Sequence, residues 1–269
     1  WYRFNLAWRM GDHLLHTVRR DPNWDSSGKS VNKRNDRHRE RLTKYIEEQI
    51  GDRTDLIEKV IPKYPPYLKR ILVDNHWYKT VQKKNVDLIT DAVEKIEKNG
   101  VRLRSGELVE LDTLIFATGF QTDRLLASYE LKGNEGTTLN SEWDCDDSRA
   151  FLGMTIPGFP NFFALYGPNT NLGHGGSIIF IAECQVRYIS KVIMRMIEND
   201  SQSIECKRDS YELYNNKLDE EHENLIWTTP GIDTWYRNSS GRVVSIMPWR
   251  LVDYWDMTKE PDFDDYIVN

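Results

Sequence analysis

Apolar and polar positions along the chain predict a helical start. Phe4, Leu6, Trp8, Leu14, Leu15 and Val18 recur at helix-like spacing within residues 1–20. The run from Asp21 to Gly28, with Pro22, Asn23 and Gly28, breaks that pattern. Helical spacing resumes over Leu42 to Ile50, with Gly51 as a cap, and again over Asp52 to Val60, before Pro62. Ile61-Pro62-Lys63-Tyr64-Pro65-Pro66 cannot lie inside a helix and reads as a polyproline-like linker. Strands are predicted over Tyr67 to Asp74 and Asn85 to Thr90, with one helical turn at Trp77 to Gln82 between them. Asp91 to Asn99 suits either helix or strand. Val101 to Leu111 alternates apolar and charged residues around Ser105-Gly106, the pattern of a hairpin. It feeds the run Leu111 to Phe120, whose length and Leu, Ile and Phe content suit a strand buried on both faces. Gly119 then permits a tight exit or the close approach of a ligand. A core strand ending in a turn is the plain reading. A ligand at the strand end is the other, because open α/β sheets bind ligands outside the carboxyl ends of their strands.

After Phe120 the pattern weakens, and Gly133, Asn134 and Gly136 mark turns. Ala150 to Met154, Asn161 to Tyr166 and Arg242 to Met247 are strand-like. Ser177 to Asn199 reads as one helix with apolar positions at Ile178, Ile181, Val186, Ile189, Val192, Ile193 and Met196. The glycine- and asparagine-rich loop Gly167 to Gly176 leads into it. Asn171, Gly176, Ser177 and Ile178 therefore stand where a helix offers free N–H groups and a partial positive charge, suited to an electron-rich ligand edge. An ordinary strand–loop–helix crossover has the same pattern. Ser210 to Ile226 is a polar, acidic surface helix with a seam of Tyr211, Tyr214, Leu218 and Leu225.

Composition narrows the field. The chain of 269 residues is 39% hydrophobic and 29% charged, as expected of a globular protein of one or two domains. A net charge of -6 argues against a general nucleic-acid binder. The basic stretch Val31 to Arg41 reads as a solvated helix face, since acidic residues resume at Glu47 and Glu48. No apolar run reaches membrane-spanning length. Cys145, Cys184 and Cys206 are too widely spaced for a disulfide framework or a zinc site, so no metal is expected and a cytoplasmic location is the natural one.

Two stretches carry a resemblance. Asp112-x-x-Ile115-Phe116-Ala117-Thr118-Gly119-Phe120 looks like the second nucleotide-domain motif of flavin-dependent monooxygenases. The run Phe151 to Asn171, with Pro157-Gly158-Phe159-Pro160-Asn161 and Tyr166-Gly167-Pro168-Asn169, resembles type I Baeyer–Villiger monooxygenases of the 4-hydroxyacetophenone-monooxygenase-like branch. The resemblance runs from about Ile61 to the C-terminus. Before that it rests on the order of elements.

The resemblance implies an α/β fold, the C-terminal part of a flavoprotein with two dinucleotide-binding domains, for FAD and NADP, and a helical insertion. Residues 1–60 would be that insertion, 61–92 the end of the NADP domain and 93–269 the end of the FAD domain. The cofactors would be FAD and NADPH, and the co-substrates a ketone and O2, giving an ester or lactone. It implies Arg70 as the catalytic cation, since a planar, permanently charged guanidinium suits developing oxyanions. Lys69 would favour the cofactor's 2′-phosphate, Trp235 would contact nicotinamide and substrate, and Ala117, Thr118, Gly119 and Phe120 would meet the flavin nucleotide. From residues alone, a pair of surface cations is the favoured reading of Lys69-Arg70, which the resemblance reverses, and Trp235 has the alternative of a packed core side chain. His174 reads as a polar loop residue and Asp112 as a strand cap.

The chain starts Trp1-Tyr2-Arg3-Phe4, without an initiator Met, and contains no Gly-x-Gly-x-x-Gly. Gly173-His174-Gly175-Gly176 comes nearest, with Ile178 where the third glycine would stand. The phosphate cradle such enzymes need, and the fingerprint Phe-x-Gly-x-x-x-His-x-x-x-Trp-Pro, are therefore expected in an N-terminal FAD/NADP-binding half, and the fragment alone is expected to be inactive. The alternatives are an N- or S-oxygenating flavin monooxygenase, and a non-catalytic α/β remnant that binds a partner.

Overall fold

The structure, a computed structural model, describes residues 12–25, 27–173 and 175–269. In chain order the principal elements are α1 (Lys33–Ile50), α2 (Thr54–Val60), β1 (Val93–Glu97), β2 (Gly100–Leu103), β3 (Leu108–Glu110), α3 (Ile178–Glu198), β4 (Ile204–Cys206), α4 (Arg208–Glu223), α5 (Leu251–Met257) and β5 (Tyr266–Val268). Single helical turns lie at Trp77–Thr80 and Leu139–Glu142. The chain divides into two compact units. One holds the residues up to Arg39, Tyr64–Ile71 and Thr122–Asn269; the other holds Glu40–Lys63 and Leu72–Gln121.

The larger unit is organised around α3. Its periodicity is real: Ile181, Cys184, Gln185, Tyr188 and Val192 are buried at helical spacing. Ser177 is the N-cap, its hydroxyl accepting the Phe180 N–H at 3.3 Å, as the sequence suggests for a helix start. Tyr188 and Val192 join Phe151, Met154, Ile204, Tyr211, Leu218 and Tyr266 in one apolar cluster, which ties α3 to α4 and to the antiparallel pair β4–β5. Ile181 and Cys184 join Met247, Leu251 and Tyr254 in another, which ties α3 to α5. A third cluster, around the fully buried Trp227, gathers Leu15, Val18, Leu68, Tyr236, Val243 and Ile246. The predicted seam of α4 holds, with Tyr211, Tyr214 and Leu218 buried; Leu225 is buried just beyond the helix end.

The smaller unit packs the second part of α1 against α2 and the Trp77 turn through Ile46, Ile50, Leu56, Val60 and Val81. The predicted hairpin forms as β2–β3, with Gly106 at φ 90° in the connecting turn. Asp91 to Asn99 resolves as a strand, β1, paired antiparallel to β2.

Several predicted strands are absent. Residues 67–74, 85–90, 111–120 and 161–166 take irregular conformations, and 150–154 and 242–247 keep only isolated bridges. The reason is clearest at Leu111 to Phe120, where Ile115 is 83% exposed, Phe116 70% and Phe120 95%. A strand buried on both faces needs neighbours on both edges and a layer over each face. Among the described residues no strand pairs with this run. Helix α3 carries the same signature in milder form. Beside its buried face it exposes Ile179, Val186, Ile193, Met194 and Ile197. Exposed apolar side chains of this kind mark a surface suited to further packing. The helical start expected over residues 1–20 is seen from residue 12 to residue 18; Phe4, Leu6 and Trp8, like His174, lie outside the described residues.

Candidate functional site

The segment Tyr64–Ile71 has no regular structure, yet it is firmly held. Asn35 Nδ2 donates to Pro66 O at 3.0 Å, Trp227 Nε1 to Tyr67 O at 3.1 Å and Thr234 Oγ1 to Leu68 O at 3.2 Å. All three donors are largely or wholly buried, and so is Leu68. These bonds replace the ladder that the predicted strand would have had, and they fix where the chain delivers Lys69 and Arg70.

Arg70 is exposed and makes no ion pair among the described residues. Two tyrosines sense its charge. Burial pushes the Tyr166 phenol up, and the Arg70 cation and the Leu172 backbone amide oppose that rise. Burial likewise pushes the Tyr236 phenol up, and Arg70 again opposes it. Tyr236 is buried and its ring lies 4.2 Å from that of Trp235, which is 40% exposed. Thr122 Oγ1 donates to the Trp235 carbonyl at 3.2 Å. The Tyr166 hydroxyl donates to Asn171 Oδ1 at 2.6 Å. Arg70, Tyr166, Asn171, Trp235 and Tyr236 thus form one neighbourhood, with an unneutralised cation at its edge. The Lys69 ammonium lies 5.4 Å from the centre of the Tyr64 ring, a cation–π contact.

The loop before α3 is stitched to residues 243–247. Asn169 N donates to Val244 O at 3.1 Å, Asn171 N to Ser245 O at 2.9 Å and Met247 N to Asn171 O at 2.9 Å. The Asn169 side chain adds bonds to Val243 O at 2.8 Å and Ile246 O at 3.1 Å. Ile246 O also accepts from His222 Nε2 at 3.0 Å. Burial drives that imidazole down to about 3, so it is neutral, with its one proton committed to this bond. Asn169 and Asn171 are therefore held firmly against residues 243–247. Gly176 is required: at φ 114° an added Cβ would also stand 2.8 Å from Leu251 Cδ1. Beyond it, Ser177 Oγ takes the Phe180 N–H, while the Ile178 and Ile179 N–H groups take no acceptor among the described residues. Two free donors at the start of a 21-residue helix favour an electron-rich partner.

The predicted site residues thus fall into two sets. Arg70, Lys69, Asn171, Gly176, Ser177, Ile178 and Trp235 belong to the larger unit, and Ala117, Thr118, Gly119 and Phe120 to the smaller. Gly119 has φ 85° and open space where a Cβ would stand, so backbone there is accessible to a ligand. Sequence reasoning missed Tyr166, Asn169 and Tyr236. Tyr236 could have been flagged by its place beside Trp235. Tyr166 and Asn169 lie in the run that carries the resemblance, but their tertiary hydrogen bonds leave no local signal of a role. The donors fit the carbonyl edge of a flavin ring; none of these segments forms a glycine cradle for its pyrophosphate. No cluster of metal-binding side chains occurs among the described residues.

No family model matches the chain. An uncharacterized monooxygenase of Sinorhizobium fredii is 45% identical over 265 residues, covering 98% of this chain and 40% of that protein. A Baeyer–Villiger monooxygenase of Pseudomonas aeruginosa is 32% identical over 212 residues, 77% of this chain and 40% of that one. Among solved structures, the OTEMO complex with FAD and NADP superimposes with a TM-score of 0.76 at 20% identity, over 88% of this chain and 45% of that one, which establishes a shared fold. The chain belongs to the family of FAD-binding, Baeyer–Villiger-type monooxygenases, and it spans about 40% of the length of the curated relatives it matches.

Proposed function

We propose that this chain is the C-terminal half of an FAD- and NADPH-dependent monooxygenase that uses O2 to insert oxygen beside a ketone carbonyl, giving an ester or lactone. The observation that carries the reading is the Arg70 neighbourhood: a cation without a carboxylate partner among the described residues, beside Trp235, two phenols and the Asn171 amide. Bound FAD, reduced by NADPH, would supply the activated oxygen. Within this chain, Arg70 stabilises negative charge as it gathers on the oxygens of the reacting ketone. A fixed donor of this kind contributes about 2.7–4 kcal/mol to such a step. Trp235 offers a flat face to nicotinamide and substrate. The Ile178 and Ile179 N–H groups and the Asn171 amide meet the flavin ring's carbonyl edge, and Lys69 meets the 2′-phosphate of NADPH. Ala117 to Phe120 approach the flavin nucleotide through accessible backbone.

In this reading residues 1–60 are a helical insertion, 61–92 end the NADP domain and 93–269 end the FAD domain. The remaining length of the relatives supplies the phosphate cradles. It also covers the apolar residues now exposed on α3 and on Leu111 to Phe120. No helix among the described residues is long and apolar enough to cross a membrane. The three cysteines are free, in keeping with a reducing, cytoplasmic setting.

The exposed α3 face also favours a second reading, a partner-binding module without catalysis. A chimera decides between them. The chain replaces the matching part of the Sinorhizobium fredii relative, and the product is examined for stoichiometric flavin, NADPH oxidation and ester formed from an aryl ketone. Ester formation supports the monooxygenase. A folded chimera that binds flavin but oxidises neither NADPH nor ketone supports the module.

A further inference from the structure

We propose that Tyr166 is a positioning residue that locks the Asn171 side-chain amide, leaving both Nδ2 hydrogens for the acceptor edge of a ligand. The ligand half of this proposal rests on the reading above; the lock itself does not. Asn171 has four polar groups, and three are already used. Its backbone N–H goes to Ser245 O and its carbonyl accepts from Met247 N, each at 2.9 Å. Its Oδ1 accepts from the Tyr166 hydroxyl at 2.6 Å. Nδ2 alone takes no acceptor among the described residues.

A phenol has one proton to give, and Asn171 Oδ1 accepts it at 2.6 Å, so the amide oxygen, not Nδ2, faces the phenol. The lock is itself braced. Tyr166 N donates to Gln185 Oε1 at 2.8 Å, Gln185 Nε2 to the Tyr254 hydroxyl at 3.0 Å, and that hydroxyl to Leu152 O at 2.8 Å. Gln185 and Tyr254 are fully buried on α3 and α5. Tyr166 also sits at φ 53°, a conformation that a bulky residue keeps only when its surroundings impose it. The sequence of bonds Leu152–Tyr254–Gln185–Tyr166–Asn171 thus carries the rigidity of the helix pair out to one amide.

The test is side-chain amide NMR on the 15N-labelled 269-residue chain, with the Asn171 pair of resonances identified by its loss in Asn171→Asp. Tyr166→Phe should shift that pair, because the amide oxygen loses its donor and the side chain its fixed orientation. An Asn171 pair unmoved in a folded Tyr166→Phe chain overturns the proposal, even if that chain melts at a lower temperature. Should Tyr166→Phe fail to fold, Asn171→Asp serves: a carboxylate beside the phenol should raise the pH at which one tyrosine ionises, read from phenolate absorbance. An unaltered titration overturns the proposal as well. Lumichrome, a flavin ring without its phosphate chain, probes the ligand. Movement of the Asn171 pair in the unaltered chain but not in Tyr166→Phe supports both halves. If lumichrome moves nothing while Tyr166→Phe still shifts the pair, the ligand half is overturned and the lock stands, and flavin binding by the chimera decides the reading above separately.

Discussion

Replacing Asn169 by alanine should unfold the site loop from within. Asn169 is buried, at 2% exposure, and bonds through Nδ2 to Val243 O and Ile246 O. Ile246 O keeps its bond from His222, whereas Val243 O is left without a donor among the described residues. An orphaned buried carbonyl costs about 1–3 kcal/mol and the second lost bond about 0.5–1.5 kcal/mol. Asn169 also sits at φ 56°, which asparagine tolerates and alanine adopts at about 1–2 kcal/mol. The sum is about 2.5–6.5 kcal/mol, a large part of a typical folding free energy. Asn169→Gly should be milder than Asn169→Ala by the backbone share, because glycine removes the amide but tolerates the conformation. Urea titration followed by tryptophan fluorescence and by circular dichroism reads both variants, with an unchanged slope confirming that stability alone moved. An Asn169→Ala chain within about 0.5 kcal/mol of its parent would refute the reasoning, since no single estimated cost is smaller than that. An Asn169→Gly chain no more stable than Asn169→Ala would refute the backbone share.

Three further outcomes are expected. The chain on its own should hold FAD weakly or not at all, because it has no Gly-x-Gly-x-x-Gly; a yellow, stoichiometric flavin spectrum after purification contradicts this. In the chimera, Lys69→Ala should erode the preference for NADPH over NADH, and an unchanged ratio of the two kcat/KM values removes Lys69 from the 2′-phosphate. His222 has its folded pKa lowered to about 3 from an ordinary 6.5, so the unfolded chain takes up its proton first. Its contribution is therefore intact above pH 6.5 and is lost as pH falls toward 3, by at most about 1.4 kcal/mol per pH unit. His222→Gln should flatten that part of the stability–pH curve, and an equal slope in both chains counts against a buried neutral imidazole.

What the sequence made legible depended on where each element finds its partners. Helix α3 was readable to within a residue because its period, the Ser177 cap and the Asn199 stop are all local. The β2–β3 hairpin was readable for the same reason, from alternation around Ser105-Gly106. Leu111 to Phe120 was read as a buried strand, and its apolar content is real, but burial is a property of neighbours. Its residues are exposed, and no strand among the described residues pairs with them. The site shows the same division. Arg70, Trp235 and the start of α3 were chosen from residue type and motif, and the structure places Arg70 and Trp235 around Tyr236. The fixing of Tyr67 and Leu68 by Trp227 and Thr234 spans 160 and 166 positions, and no local window contains such pairs.

The central claim is that Arg70 serves oxygen insertion, and Arg70→Ala in the chimera tests it most directly. Hydride transfer needs the nicotinamide near the flavin, which on this account Trp235 and other contacts would secure. On this account, oxygen insertion builds charge that the guanidinium meets. Stopped-flow spectra with product analysis should show NADPH still oxidised, ester formation reduced roughly a hundred- to a thousandfold, and hydrogen peroxide released in its place. Arg70→Lys should fail similarly, because an ammonium lacks the planar fork. A normal ester yield from Arg70→Ala would contradict the account and leave Arg70 an exposed surface cation.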